Sequence, residues 1–312
     1  MTPGGPREGS PTQPTVTGLL SRWREDLAAW AIPDHILTAV TDSPWVLPTS
    51  VFARRADKYT ASPQGESFER AWAALDPPGS VLDIGAGAGA ASLPLAARIT
   101  ELNAVDTSQE MLDLLADRAA ASHVPVRTVR GSWPECASQV PAADLVTCHH
   151  VLYNVADIEP FVVALSEHAR RLVIVEVAVT HPLSSLNDLW FRFHGLRRPA
   201  RPTCDDVLGI LNAMGLQVGS RRWRRAGGPD YASMAELVDV TRRRLCLPPQ
   251  RAAEVAEALV EAGIDPAKPG DLGSSGRDVL TIWWNGTAAG LTHDGPADLG
   301  AATSCCRDDE TA

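Results

Sequence analysis

The sequence predicts an α/β protein built on a doubly wound, mostly parallel sheet of seven strands. Three observations carry that reading. Short apolar runs alternate with segments of helical periodicity from residue 79 onwards. The first run ends on an acid and a glycine-rich turn, Asp83-Ile84-Gly85-Ala86-Gly87-Ala88-Gly89. The run Arg171-Leu172-Val173-Ile174-Val175-Glu176-Val177 is nearly continuous in β-branched residues, as a strand covered on both faces requires.

Taken in order, strands are expected at 81–84, 102–106, 126–129, 143–148 and 171–177, then one starting at Leu216-Gln217-Val218, and a last one at 278–284. The glycine turn should run into a helix, and further helices follow from near Gln109 and over 158–168. Leu186, Leu189, Trp190, Phe193 and Leu196 form an apolar stripe at helical spacing. Thr203 can cap a helix ending near Met214-Gly215. Helices over 233–245 and 249–262 make an insertion of about 229–276 before the last strand.

Four parts result. Residues 1–17 and 287–312 lack apolar periodicity and read as disordered tails. Residues 18–78 form a helical cap whose tryptophans pack on the core, and 79–286 form the main domain.

The turn reads as a ligand cradle, because glycine takes positive φ and lets a ligand approach the backbone. Gly85, Gly87 and Ala90 also satisfy the relaxed dinucleotide fingerprint. Asp83 opposes that alternative, since a carboxylate there is ill placed beside a pyrophosphate and suits a cation. Asp106 ends the second strand about twenty residues on, where an acid accepts from ribose hydroxyls. Asp106, Thr107 or Ser108 could equally cap the next helix.

The third strand leads to Gly131-Ser132-Trp133, and the fourth to Cys148-His149-His150-Val151-Leu152-Tyr153-Asn154-Val155. Acid-tipped strand, glycine turn, second acid and a polar fourth strand end together resemble the class I S-adenosylmethionine-dependent methyltransferases of small bacterial type, which are Rossmann-like. The resemblance spans 79 to about 225 and implies S-adenosylmethionine as the cofactor. It implies cofactor contacts from Asp83, Gly85, Ala86, Gly87, Gly89, Asp106, Thr107, Ser132, Trp133 and His149. Ser132 stands where many members carry an acid, so a hydroxyl or the backbone must read the adenine amino group. Trp133 either packs on the adenine or is simply buried before Pro134.

His149, His150 and, more distantly, His194 are the candidates for a general base, with Tyr153 and Asn154 beside the reacting region. For each, a packing role is the alternative. A sulfonium methyl is already activated, so the protein needs chiefly to hold a nucleophile in line and exclude water, without a metal. No Asn-Pro-Pro-aromatic tetrapeptide follows the fourth strand, which disfavours base N-methylation by that route. Cys148 lacks a Pro-Cys partner motif and reads as packing.

A formal net charge of −10 argues against a general polyanion-binding surface, and an ion-paired face is the reading of Arg221-Arg222-Trp223-Arg224-Arg225. Six scattered cysteines give neither a zinc motif nor a disulfide framework, which fits the cytoplasm. No leader or membrane-spanning run is expected. The expected acceptor is a small molecule. The other readings are an NAD-dependent oxidoreductase, an RNA or protein methyltransferase, and a cofactor-binding descendant without catalysis.

Overall fold

A computed structural model describes residues 15–45, 48–225, 231–270, 272 and 278–288. Seven strands form one sheet: β1 (Gly79–Ile84), β2 (Ile99–Asp106), β3 (Val126–Arg130), β4 (Ala143–His149), β5 (Ala169–Ala178), β6 (Gly219–Arg224) and β7 (Asp278–Asn285). Their order is β3-β2-β1-β4-β5-β7-β6, with β7 antiparallel to both neighbours and the other pairs parallel.

Ten α-helices are described: α1 (Val16–Ala28), α2 (Asp34–Leu37), α3 (Thr49–Ala61), α4 (Glu66–Ala74), α5 (Gln109–Ala121), α6 (Ile158–His168), α7 (Asn187–His194), α8 (Cys204–Ala213), α9 (Met234–Arg244) and α10 (Ala252–Glu261). Strand alternation sorts the helices onto two faces. Leu82, Ile84, Val146, Cys148, Val173 and Val175 meet α1, α6 and α8 on one face. Val81, Leu102, Leu145 and Ile174 meet α4, α5 and the turn after the glycines on the other. The insertion helices α9 and α10 build a separate core with α7 and with Ile36 and Val51 of the cap.

Several boundaries differ from expectation, each for a local reason. Thr15 accepts from the Gly18 amide, so α1 starts at Val16, inside the expected tail. Thr287 and Ala288 donate to the carbonyls of Ser166 and Ala169, which fastens the first residues of the expected C-terminal tail to the sheet end. Residues 1–14 and 289–312 lie outside the described residues, as do parts of the insertion at 229–230, 271 and 273–277.

The glycine turn does not enter an α-helix. Gly89 at φ +88° leads through turns to a 3₁₀ segment, Leu93–Arg98, with Pro94 near its start. The sixth strand begins at Gly219 rather than Leu216, because α8 closes through Gly215 at φ +85° and the Leu216 amide donates back to Leu211. Thr203 caps α8 in a reciprocal box with Asp206.

Two cap tryptophans, Trp23 and Trp30, point inward, whereas Trp45 is exposed. Trp23 donates to the Val155 carbonyl (2.7 Å) and Trp30 to that of Arg201 (2.6 Å). Helix α3 lies over the glycine turn, with Ala56 packed on Ala88 and Met111.

Candidate active site

The carboxyl edge of the sheet gathers the polar residues. The turn after β1 is tied to β2 by its backbone: the amides of Gly85 and Ala86 both donate to Val105, at 2.9 and 3.0 Å. Gly85, Gly87 and Gly89 all have positive φ. At Gly85 an added Cβ would come within 2.3 Å of Val151, whereas around the Cβ position of Gly87 nothing lies within 4 Å. The turn is thus packed at its root and open at its tip.

Asp106 accepts from the Gly87 amide (2.8 Å) and the Ser108 amide (2.9 Å), one on each oxygen. Each oxygen keeps a second acceptor site. Ser108, not Asp106, caps α5 through its hydroxyl. Thr107 is exposed beside it, and its carbonyl accepts from Arg130. The Gly131 amide donates to the Asp106 carbonyl, which brings exposed Ser132 to the same edge.

Asp83 is buried, 1% exposed. Thr147 donates to its Oδ1 at 3.1 Å; the buried Ser92 hydroxyl also lowers the carboxyl's pKa, although Oδ2 meets no donor at full hydrogen-bond geometry. Burial pushes its carboxyl up to about 6. Such an orphaned oxygen is costly by itself and is relieved by a cationic partner. An open Gly87 tip, an acid with spare acceptor sites and a buried orphan oxygen fit a nucleoside with a cationic amino-acid end.

Beside this edge lies a cleft of about 610 Å³, its open mouth included, between α3, α4 and the ends of β4, β5 and β6. Tyr59, Phe68, Ala90, His149, Glu176 and Arg225 are among its walls. His149 faces it with Nε2 unpartnered. Burial, with neighbouring His150 and Arg225, holds the His149 imidazole well below its usual range, hence neutral near pH 7. His150, at φ +60°, turns to Glu176: its amide donates to the Glu176 carbonyl (2.7 Å) and its Nε2 lies 3.1 Å from Oε1.

Four other expected residues go elsewhere. Trp133 is buried, its indole donating to the Phe161 carbonyl (3.3 Å) and its ring edge-on to His168. His194 meets the Leu245 carbonyl at 2.6 Å and stacks near Trp190 in the insertion core, away from the cleft walls. Its ring nitrogen serves the end of α9, which is a structural duty. Tyr153 spends its hydroxyl on the Ala178 carbonyl (2.8 Å), and Asn154 is exposed.

Sequence reasoning missed Glu176, Ser67, Thr281 and Trp223 as parts of one cluster. The available signal was Glu176 itself, an acid inside an otherwise β-branched strand. The arginine cluster is ion-paired: Arg221 to Glu66, Arg222 to Asp205, Arg224 to Asp278 and Arg225 to Glu176. Among the described residues no metal-holding cluster occurs, and no helix is long and apolar enough to cross a membrane.

Residues 81–173 match the family model of the methyltransferase domain. That match falls on the acid-tipped strand and glycine turn of a 3-2-1-4-5-7-6 sheet whose last strand is reversed, so residues 81–173 carry a methyltransferase domain. No curated protein matches it. Among solved structures it is similar to the YcgJ protein of Bacillus subtilis (17% identity, 76% of this chain and 99% of that one, TM-score 0.43). It is also similar to the plantazolicin methyltransferase BamL (16%, 86% and 99%, TM-score 0.48). A third is the magnesium protoporphyrin IX methyltransferase of Synechocystis (19%, 66% and 87%, TM-score 0.41).

Proposed function

We propose that the protein methylates a small molecule bound in the cleft, and that Asp83, Gly85, Ala86, Gly87, Gly89, Asp106, Thr107 and Ser132 hold the cofactor. The observation that supports this most is the buried, unpartnered Asp83 Oδ2 beside the open glycine tip. An ammonium there restores the missing partner, and Asp106 offers acceptor sites for two sugar hydroxyls.

The cofactor supplies an activated methyl group. The chain's own residues do the rest. Helix α3 packs over the glycine turn at Ala88. His149, neutral and aimed into the cleft, takes the proton of an acceptor hydroxyl through Nε2. Aromatic walls at Tyr59 and Phe68 suit a flat, partly apolar acceptor. Cys136, Cys148, Cys204 and Cys246 are free thiols, in keeping with a cytoplasmic setting.

The test is purified protein with methyl-labelled S-adenosylmethionine and a host extract fractionated by size. Label in the small-molecule fraction, lost with His149→Gln, is expected. Label only in RNA or protein overturns the acceptor class. Calorimetric binding of a nicotinamide cofactor with none of S-adenosylmethionine overturns the whole reading.

A further inference from the structure

The segment after β4 is fastened from several parts of the chain, and one of them is the cap helix α1. His149 ends β4, and His150 after it is left-handed, at φ +60°. A non-glycine residue keeps such a backbone only where its surroundings over-determine it. On the strand side, the His150 amide donates to the Glu176 carbonyl at 2.7 Å. On the other side, the chain makes one 3₁₀ turn, Leu152–Asn154, in which the Asn154 and Val155 amides donate to the carbonyls of Val151 and Leu152 at 2.8 and 3.0 Å.

So short a turn does not hold itself in place, because it fixes several dihedrals for very few hydrogen bonds. Its anchors come from far along the chain. Tyr153 donates its hydroxyl to the Ala178 carbonyl at the end of β5 (2.8 Å). The Tyr153 ring is stacked on Trp23 of α1, with centroids 6.0 Å apart, and tilted against His181 at 5.3 Å. Trp23, 1% exposed, donates its indole hydrogen to the Val155 carbonyl at 2.7 Å. The neighbouring Arg24–Asp157 pair is exposed and adds little. Trp23 therefore grips the turn twice, through a ring contact and a hydrogen bond that spans 132 positions of sequence.

At its first residue the same segment meets the glycine turn. Val151 lies so close to Gly85 that a Cβ there would fall 2.3 Å from its methyl group. Gly85 and Ala86 are tied by their amides to the Val105 carbonyl, and Gly87 by its amide to Asp106. Close-packed groups transmit a displacement, so a shift of Val151 is felt at that root. Contacts run from Trp23 through Tyr153 and Val155 to Val151 and Gly85, with His149 two residues before Val151.

We propose that Trp23 is a positioning residue: through Tyr153 and Val155, the cap helix sets the segment that places His149 and seats the glycine turn. The proposal rests on the methyl-transfer reading for its catalytic consequence, while the coupling is testable without cofactor. The experiment compares Trp23→Phe with Trp284→Phe in the full chain. Trp284 is buried in the same core and loses one indole hydrogen bond, to Ser166, outside the segment. Hydrogen exchange resolved to single amides is measured without cofactor and referred to the centre of β5. Trp23→Phe should speed exchange at Asn154 and Val155, and at Gly85 and Ala86, by about tenfold, whereas Trp284→Phe should leave all four unchanged.

Unchanged Gly85 and Ala86 amides in Trp23→Phe overturn the proposal. So does the same pattern in Trp284→Phe, which would mark a general loss of stability. The wild type gives a second measurement that needs no variant: coupling is reciprocal, so saturating S-adenosylhomocysteine should slow exchange of the Trp23 indole hydrogen. Slowing at Gly85 with none at Trp23 overturns the proposal as well. In the labelled-extract assay, Trp23→Phe should raise the KM for S-adenosylmethionine about three- to tenfold, and Trp284→Phe should not. Calorimetry on the wild type separates the two ideas: absent S-adenosylmethionine binding refutes the methyl-transfer reading and leaves the cofactor-free exchange comparison to decide the coupling.

Discussion

The two halves of the sheet's carboxyl edge are finished in opposite ways. On the β1–β2 side, Asp83 keeps a bare oxygen, Gly87 faces open space and Asp106 has acceptor sites to spare. On the β5–β7–β6 side, Glu176 accepts from Ser67 and is ion-paired with Arg225, and Thr281 is hydrogen-bonded to Ser67 and Trp223. One half keeps acceptors unpaired. The other supplies its own partners, and so can serve as the rigid wall against which an acceptor is placed.

This contrast can be broken most forcefully from the closed half. Arg225→Met strands a buried carboxylate and should cost about 3–5 kcal/mol in chemical denaturation. Next comes the open half. Asp83→Asn should weaken S-adenosylmethionine binding by about 1–3 kcal/mol in calorimetry, yet leave the apo protein no less stable, since it removes a penalised charge. A stability loss like that of Arg225→Met would erase the distinction.

The same acid gives a pH signature. Asp83 sits at about 6 when folded against 3.8 as a free side chain, raised mainly by burial, with Ser92 and then Thr147 opposing and Asp106 adding to the rise. A raised folded value means that the stability it contributes is complete below 3.8 and lost as pH rises through 6. A cationic ligand prefers the ionised form, so affinity should climb roughly tenfold per pH unit below 6 and level off above it. Calorimetry between pH 5 and 7.5 checks this, with Asp83→Asn expected to be flat. The smallest effect is expected for Ser67→Ala, about 1–2 kcal/mol of stability, from one lost donor to Glu176 and one lost acceptor for Thr281.

Legibility in the sequence followed locality. Asp83, the glycines and Asp106 lie within 24 residues, and their spacing alone placed them at two adjacent strand ends. The helix over 158–168 and the cap at Thr203 were equally plain, since periodicity and capping chemistry are short-range. Trp133 and His194 had two readings each, because a side chain's rotamer and neighbours are not encoded in its own segment. The 3₁₀ turn after the glycines was hidden for another reason: Gly89 and Pro94 compete with the alanines over how the chain leaves the loop.

By itself, then, the chain's order of residues determined the alternation of strands and helices, the acid-and-glycine turn, and the class of ligand that turn suits. These are near-neighbour properties, fixed by backbone freedom and side-chain period. The tertiary structure alone decided which histidine faces the cleft and which is held away. Ser67 and Glu176 are 109 positions apart and Ser67 and Thr281 are 214 apart, so their hydrogen bonds exist only once α4, β5 and β7 share one buried face.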